Sequence, residues 1–85
     1  MYYVYILKSI KYHTHYIGYT NNLINRLKRH NHKEVYATKL KAPYKIVYYE
    51  AYASRDEAHH REHNLKLRAQ ALNQLKQRIK KSLEA

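Results

Sequence analysis

A carboxylate at position 62 is the residue that a purely structural account of this chain leaves awkward. Turned at about 100° per residue, the helix that carries it places Glu62 among Ala58, Leu65, Ala69 and Leu72 rather than opposite them. A carboxylate on a buried stripe is costly unless something cationic answers it. Two answers are open: Lys66 four residues on, which would hold Glu62 at the surface edge of the stripe, or a bound metal ion. Arg26 and His30 form a second pair, four apart on an earlier helix and so side by side on one face. The planar fork of an arginine suits a phosphate, and a histidine suits proton transfer near neutral pH. The alternative is two solvated bases among others, since Lys28, Arg29 and His32 surround them.

Gly18, the only glycine, stands between a strand and a helix. It either admits a ligand close to the backbone near a helix N-terminus or merely satisfies a turn. Tyr5 and Tyr16 would share one sheet face if the strands carrying them pair with these two residues opposite each other. Two phenols there are either core or cleft. His59 and His63 have the i,i+4 spacing of a metal clamp, but no third ligand is evident, and the order is not that of the HExxH motif, so a zinc site is not expected.

The elements that must position these groups follow from pattern. Tyr2–Leu7 reads as a strand, apolar on both faces and so central. Ser9–His13 is a polar connection, short enough to imply an antiparallel hairpin with a second strand over Thr14–Tyr19. Thr20, Asn21 and Asn22 are successive N-cap candidates for a helix running to about Asn31, with Leu23, Ile24 and Leu27 as its apolar stripe. Asn31–Ala42 is expected as a mobile basic loop, closed by Pro43, with a third strand over Lys45–Tyr52. Ser54-Arg55-Asp56-Glu57 has the form of a capping box. Beyond it Ala58, Leu65, Ala69, Leu72, Leu75, Ile79 and Leu83 recur at helical gaps, with a break expected near Arg68–Gln70. The order β-β-α-β-α(-α) predicts an α+β fold, a small three-stranded antiparallel sheet flanked by helices, in one domain over 1–85.

Composition narrows the function classes. Lys and Arg number 17 against 6 Asp and Glu, a net charge of +11. The first carboxylate is Glu34, so Lys8, Lys11, Arg26, Lys28, Arg29 and Lys33 precede any acid. This asymmetry points to a polyanion, most simply nucleic acid, and away from a membrane surface. The absence of cysteine excludes disulfides, thiolate zinc sites and thiol nucleophiles. No apolar run is long enough to span a bilayer and no signal-peptide pattern opens the chain, so a cytoplasmic location is expected. Eleven tyrosines stand with no Phe or Trp, so phenols supply the aromatic core.

Taken together, these positions resemble the GIY-YIG nuclease superfamily. Tyr3-Val4-Tyr5 stands where that family has its first triplet, and Tyr16-Ile17-Gly18 is the second triplet intact. Arg26 follows Tyr16 at the distance of the family's arginine, His30 falls where it has a His or Tyr one turn later, and Glu62 stands for its metal-binding glutamate. The resemblance covers Tyr2 to about Lys80, looks closest to the short stand-alone, single-domain bacterial branch, and extends to the N-terminal nuclease domain of the repair excinuclease. The chain departs from the family at Tyr19, where many members have lysine, and near Asn73 and Gln74, where many have an asparagine.

The resemblance implies metal-assisted hydrolysis of a DNA phosphodiester, directed by substrate structure rather than sequence, in DNA repair or recombination. Glu62 would hold one Mg²⁺ or Mn²⁺, and Arg26 would stabilise charge on the phosphate. Tyr5 in preference to Tyr16 would handle the attacking water, with His30 assisting. Lys28, Arg29, Lys33, Lys39 and Lys41 would grip flanking phosphates of branched, nicked or single-stranded DNA, with Gly18 at the nucleic-acid side. Two other readings stay open. One is a non-catalytic nucleic-acid-binding module on the same scaffold. The other is a subunit that docks a partner or a second copy through Leu72, Leu75, Ile79 and Leu83 of the C-terminal helix.

Overall fold

The computed structural model describes residues 1–85. Three strands, β1 (Tyr2–Ser9), β2 (His15–Thr20) and β3 (Tyr44–Tyr52), form one antiparallel sheet in the order β2-β1-β3. The central place of β1 follows from its composition: Val4, Tyr5, Ile6 and Leu7 are all buried, so successive side chains fill both faces. No helix is long and apolar enough to cross a membrane.

One face carries Val4 and Ile6 with Tyr2, Ile17, Tyr19, Tyr48 and Tyr52. It is covered by α2 (Arg55–Leu67), α3 (Ala69–Arg78) and α4 (Lys80–Glu84) through Ala58, Leu65, Leu75, Ile79 and Leu83. Ser54 caps α2 as its motif predicts, its Oγ accepting the Glu57 amide at 3.3 Å. The expected break falls at Arg68, whose extended backbone (φ −116°, ψ 103°) ends α2 and starts α3. The register shift between Ile6 and Leu7 sets Ile6 opposite Tyr48 and Leu7 opposite Ile46. Val47 is the extra residue, and it packs beside Tyr48 against the same cluster.

The C-terminal leucines therefore serve the chain's own core. Leu75 is fully buried, and Ile79 and Leu83 pack on the same cluster, so the stripe expected to dock a partner is largely covered from within. Ala69 is exposed instead of buried, because the break at Arg68 resets the helical phase.

The opposite face carries Tyr5, Leu7 and Tyr44 with Tyr16 and Ile46, under the single helix α1 (Leu23–Asn31). Asn22 is its cap, accepting the Asn25 amide at 3.0 Å. Leu23 and Leu27 pack downward while Ile24 is 71% exposed, so the inward stripe is narrower than expected. The segment after α1 is not the mobile loop predicted from its charge. Thr38 is buried at its centre, a 3-10 turn over Lys39–Lys41 follows, and Ser9 Oγ donates to the Lys41 carbonyl at 2.7 Å. Asn31 grips the Tyr44 backbone from both sides, donating to its carbonyl at 3.1 Å and accepting its amide at 2.7 Å.

Candidate active site

The site begins at the middle of the sheet. In register, Tyr5 lies opposite Gly18, and Tyr16 lies opposite Leu7, so the two phenols share a face diagonally rather than directly. A Cβ on Gly18 would land on the Tyr5 hydroxyl, Cζ and Cε1. Gly18 has no positive φ, so it does not serve a turn. It is glycine because the hydroxyl end of the Tyr5 ring lies against it, and that ring closes this side of the backbone to a ligand.

Laid across Gly18, the Tyr5 side chain aims its hydroxyl at α1. Oη lies 2.8 Å from His30 Nε2 and accepts from Arg26 Nε at 3.4 Å. One helical turn separates Arg26 and His30, so α1 delivers both groups to one oxygen. His30 is fully buried, and its Nδ1 lies 2.6 Å from Thr38 Oγ1. Burial, reinforced by Arg26 and Arg29, lowers its pKa to about 4. It is a neutral imidazole at pH 7. Burial raises the Tyr5 phenol above its ordinary value, and the hydrogen bond and charge of Arg26 offset this only partly. Tyr5 is a neutral phenol in the resting protein. Arg26 is half-buried, pairs with no carboxylate and donates from Nε alone, leaving its remaining N–H groups for an anion.

Glu62 comes from the opposite face of the sheet, on α2, which packs on β1 and β2. Its side chain is 15% exposed, and Lys66 Nζ lies 2.7 Å from Oε2. The Lys66 ammonium also stands 5.5 Å from the centre of the Tyr16 ring, whose other neighbour is His30 at 5.2 Å between centroids. Tyr16 thus sits between the Arg26–Tyr5–His30 cluster and the Glu62–Lys66 pair. The Glu62 charge reaches Tyr5, where it adds to the upward pull on the phenol. No three His, Cys or acidic side chains converge as a ready-made metal cage. A single carboxylate with one oxygen free of protein partners suits a hard cation that keeps most of its waters and takes further oxygens from a phosphate.

The basic residues divide. Lys28, Lys33 and Lys41 are exposed. Arg29 is engaged by Glu34 at 3.8 Å, and the Lys39 ammonium lies 4.5 Å over the Tyr36 ring. The two residues where the resemblance breaks also have places: the Tyr19 hydroxyl accepts from Arg55 Nε at 3.1 Å, and Asn73 and Gln74 are exposed on α3.

Sequence reasoning missed two groups of residues. Thr38 gives no local signal, because its partner His30 meets it only after the loop folds back. Glu50 did carry one. It is the sole acid of β3 and has Tyr48 and Tyr52 at i±2, hence on its own face. Both hydroxyls donate to it, at 2.7 Å and 2.5 Å, and Arg61 adds a two-pronged contact at 3.0 Å and 3.0 Å. Burial pushes the Glu50 carboxyl up, but Arg61 and the two phenols outweigh it and hold it below the usual range. Tyr48 and Tyr52 rise in return to about 12, through burial and their bonds to Glu50. Arg61 directly precedes Glu62, so this cluster fixes the turn of α2 that presents the Glu62 carboxylate.

Comparison with known proteins places the fold in a family. The family model described as the GIY-YIG catalytic domain matches residues 1–77. A UPF0213 protein of Clostridium perfringens is 43% identical over 67 residues, covering 78% of this chain and 71% of its own length. A UPF0213 protein of Staphylococcus haemolyticus is 39% identical over 79 residues, covering 89% and 95%. One from Pediococcus pentosaceus is 35% identical over 71 residues, covering 82% and 74%. No solved structure matches. With the family model spanning nearly the whole fold and relatives of similar size, the chain belongs to the GIY-YIG catalytic domain family.

Proposed function

We propose that this protein is a divalent-metal-dependent endonuclease that hydrolyses phosphodiester bonds in branched, nicked or single-stranded DNA, substrates of repair and recombination. Family membership implies a nuclease acting on nucleic acid in general. The observation that carries the finer reading is the unpaired Arg26 held by its Nε against the buried Tyr5 hydroxyl. A guanidinium fixed by one N–H, with the rest of its fork free, is preorganised for charge that develops on a phosphate. A bound Mg²⁺ or Mn²⁺, held by Glu62, would supply Lewis acidity toward the phosphoryl oxygens.

In this mechanism the scissile phosphate sits on Arg26. The oxygen of a water bonds to phosphorus while the bond to the leaving oxygen breaks. The water's proton passes to Tyr5 Oη as the Tyr5 proton passes to His30 Nε2, and the leaving alkoxide takes a proton from solvent. Moving a proton from a phenol that burial holds above its ordinary value to an imidazole lowered to about 4 is uphill in the resting site. The transfer therefore belongs to the transition state, with substrate and metal charge in place. Tyr5 is buried and Tyr16 half-exposed, so the water meets Tyr16 first and Tyr16 orients it. Lys28, Lys33 and Lys41 grip flanking phosphates.

A panel of branched, nicked and single-stranded DNAs with Mg²⁺ or Mn²⁺ tests the proposal, with Tyr5→Phe and Tyr16→Phe run beside the parent. Tyr5→Phe should cost more turnover than Tyr16→Phe. The reverse order would exchange the two roles, and binding of every substrate with cleavage of none would leave a binding module.

A further inference from the structure

Thr38 is buried at 1% exposure inside an otherwise basic loop, and its hydroxyl meets no solvent. Its partners allow a complete count of hydrogens. Tyr5 Oη accepts the Arg26 Nε–H, and its own proton has one acceptor within reach, His30 Nε2. That nitrogen must then be bare, and the imidazole proton must sit on Nδ1, which faces Thr38 Oγ1. Thr38 Oγ1 accepts it and donates its own hydrogen to the Val35 carbonyl at 3.4 Å. In the opposite tautomer Nε2–H would point at Tyr5, and the Tyr5 hydrogen would have no acceptor.

We propose that Thr38 is a positioning residue that, together with the Tyr5 hydroxyl, holds His30 as the Nδ1–H tautomer, so that Nε2 stays bare toward Tyr5. Its consequence for catalysis rests on the nuclease reading above; the tautomer itself does not. Thr38 accepts from Nδ1 whether His30 is neutral or has taken the Tyr5 proton, so one oxygen serves the resting state and the protonated one. Valine at 38 keeps the shape and removes the acceptor. The Nδ1–H would then face methyl groups, and the proton would move to Nε2, where Tyr5 Oη can accept it. Tyr5 would lose the acceptor for its own hydrogen. Serine keeps the oxygen and should keep the tautomer. Groups that orient a metal-bound histidine affect metal affinity or activity by about 10- to 100-fold, and an effect of the same order is expected for this unmetallated one.

Long-range ¹H–¹⁵N NMR of the His30 ring in the full chain reads the tautomer directly, and His30→Gln assigns the signals. The parent and Thr38→Ser should show the Nδ1–H pattern, and Thr38→Val the Nε2–H pattern. Cleavage by Thr38→Val should fall about 10- to 100-fold in kcat with KM little changed, and Thr38→Ser should recover most of it. An Nε2–H pattern in the parent, or an unchanged Nδ1–H pattern in Thr38→Val, would overturn the proposal. If Thr38→Val does not fold, Thr38→Ala and the parent spectrum decide in the same way. The predicted tautomers with no cleavage by the parent on any substrate would sink the nuclease reading and leave the role of Thr38 standing.

Discussion

Replacing Gly18 with alanine adds one methyl group, and the structure says where it must go. The backbone at Gly18 lies outside the positive-φ region, so alanine meets no conformational penalty there. The cost is steric. The new Cβ falls on Cε1, Cζ and Oη of Tyr5, the far end of a ring that is 1% exposed and tethered to His30 and Arg26. A stiff ring in a closed space cannot step aside by rotamer change, and such overpacking costs about 1–3 kcal/mol. For a domain of this size that lowers Tm by about 4–8 °C per kcal/mol. Relief would lift the hydroxyl away from Arg26 and His30, so cleavage should be lost together with stability. A double-mutant cycle isolates the contact. In a Tyr5→Leu background the clashing atoms are absent, and Gly18→Ala should cost less than about 0.5 kcal/mol. Urea unfolding of the four proteins gives the coupling. A Gly18→Ala variant as stable as the parent, or an equal cost in both backgrounds, would refute the account of why this position is glycine.

Arg26→Ala should cut turnover by about 100-fold or more with a smaller effect on binding, because its interaction grows as charge develops, whereas Lys28→Ala should weaken binding and spare turnover. DNA affinity should fall steeply with salt, with a slope of about −0.9 per phosphate contact, and three to five such contacts are expected from the exposed lysines and Arg26. His30 contributes stability that is fully present above its ordinary pKa of 6.5 and is lost as pH falls toward its folded value of about 4. That loss amounts to about 3 kcal/mol between pH 6.5 and 4, and His30→Gln should remove most of the slope from a pH series of urea unfolding. Arg61→Met should destabilise the fold by about 3 kcal/mol, since it strands the Glu50 carboxylate, which is 17% exposed, with phenols alone.

Much of the frame was legible because local rules and the global fold agree. Strand β1 is apolar on both faces and is the central strand. Ser54 forms its cap, and the helical run breaks at Arg68, inside the expected window, with neither Gly nor Pro to mark it. The register was less legible. A hairpin turn without Gly or Asn-Gly leaves the pairing to side-chain packing, and Tyr5 lies opposite Gly18 because only glycine leaves room for its ring. Charge alone does not reveal how the loop after α1 is held, since the groups that fasten it, Thr38, Ser9 and Asn31, are small polar residues whose partners are distant in sequence. The C-terminal stripe was read correctly as apolar, yet apolarity alone does not say whether a helix docks on its own sheet or on a partner. The helical wheel put Glu62 on the buried side, where it lies, and Lys66 does answer it. Spacing could not show Tyr16 standing between that pair and the cluster around Tyr5.

The central claim of the proposed function is that Glu62 holds a catalytic divalent cation through the oxygen that Lys66 leaves free. The direct measurement is nicking by Glu62→Gln and by the parent across a Mg²⁺ and a Mn²⁺ titration, with thermal unfolding of both proteins. The amide keeps the shape of the side chain and removes the charge that holds a cation. The account predicts cleavage lower by about 100-fold or more at every metal concentration. It also predicts that Tm stays within a few degrees of the parent, because loss of a partly exposed ion pair is offset by easier burial of a neutral group. Full metal-dependent nicking by Glu62→Gln would contradict it, and would leave Glu62 as no more than the structural partner of Lys66.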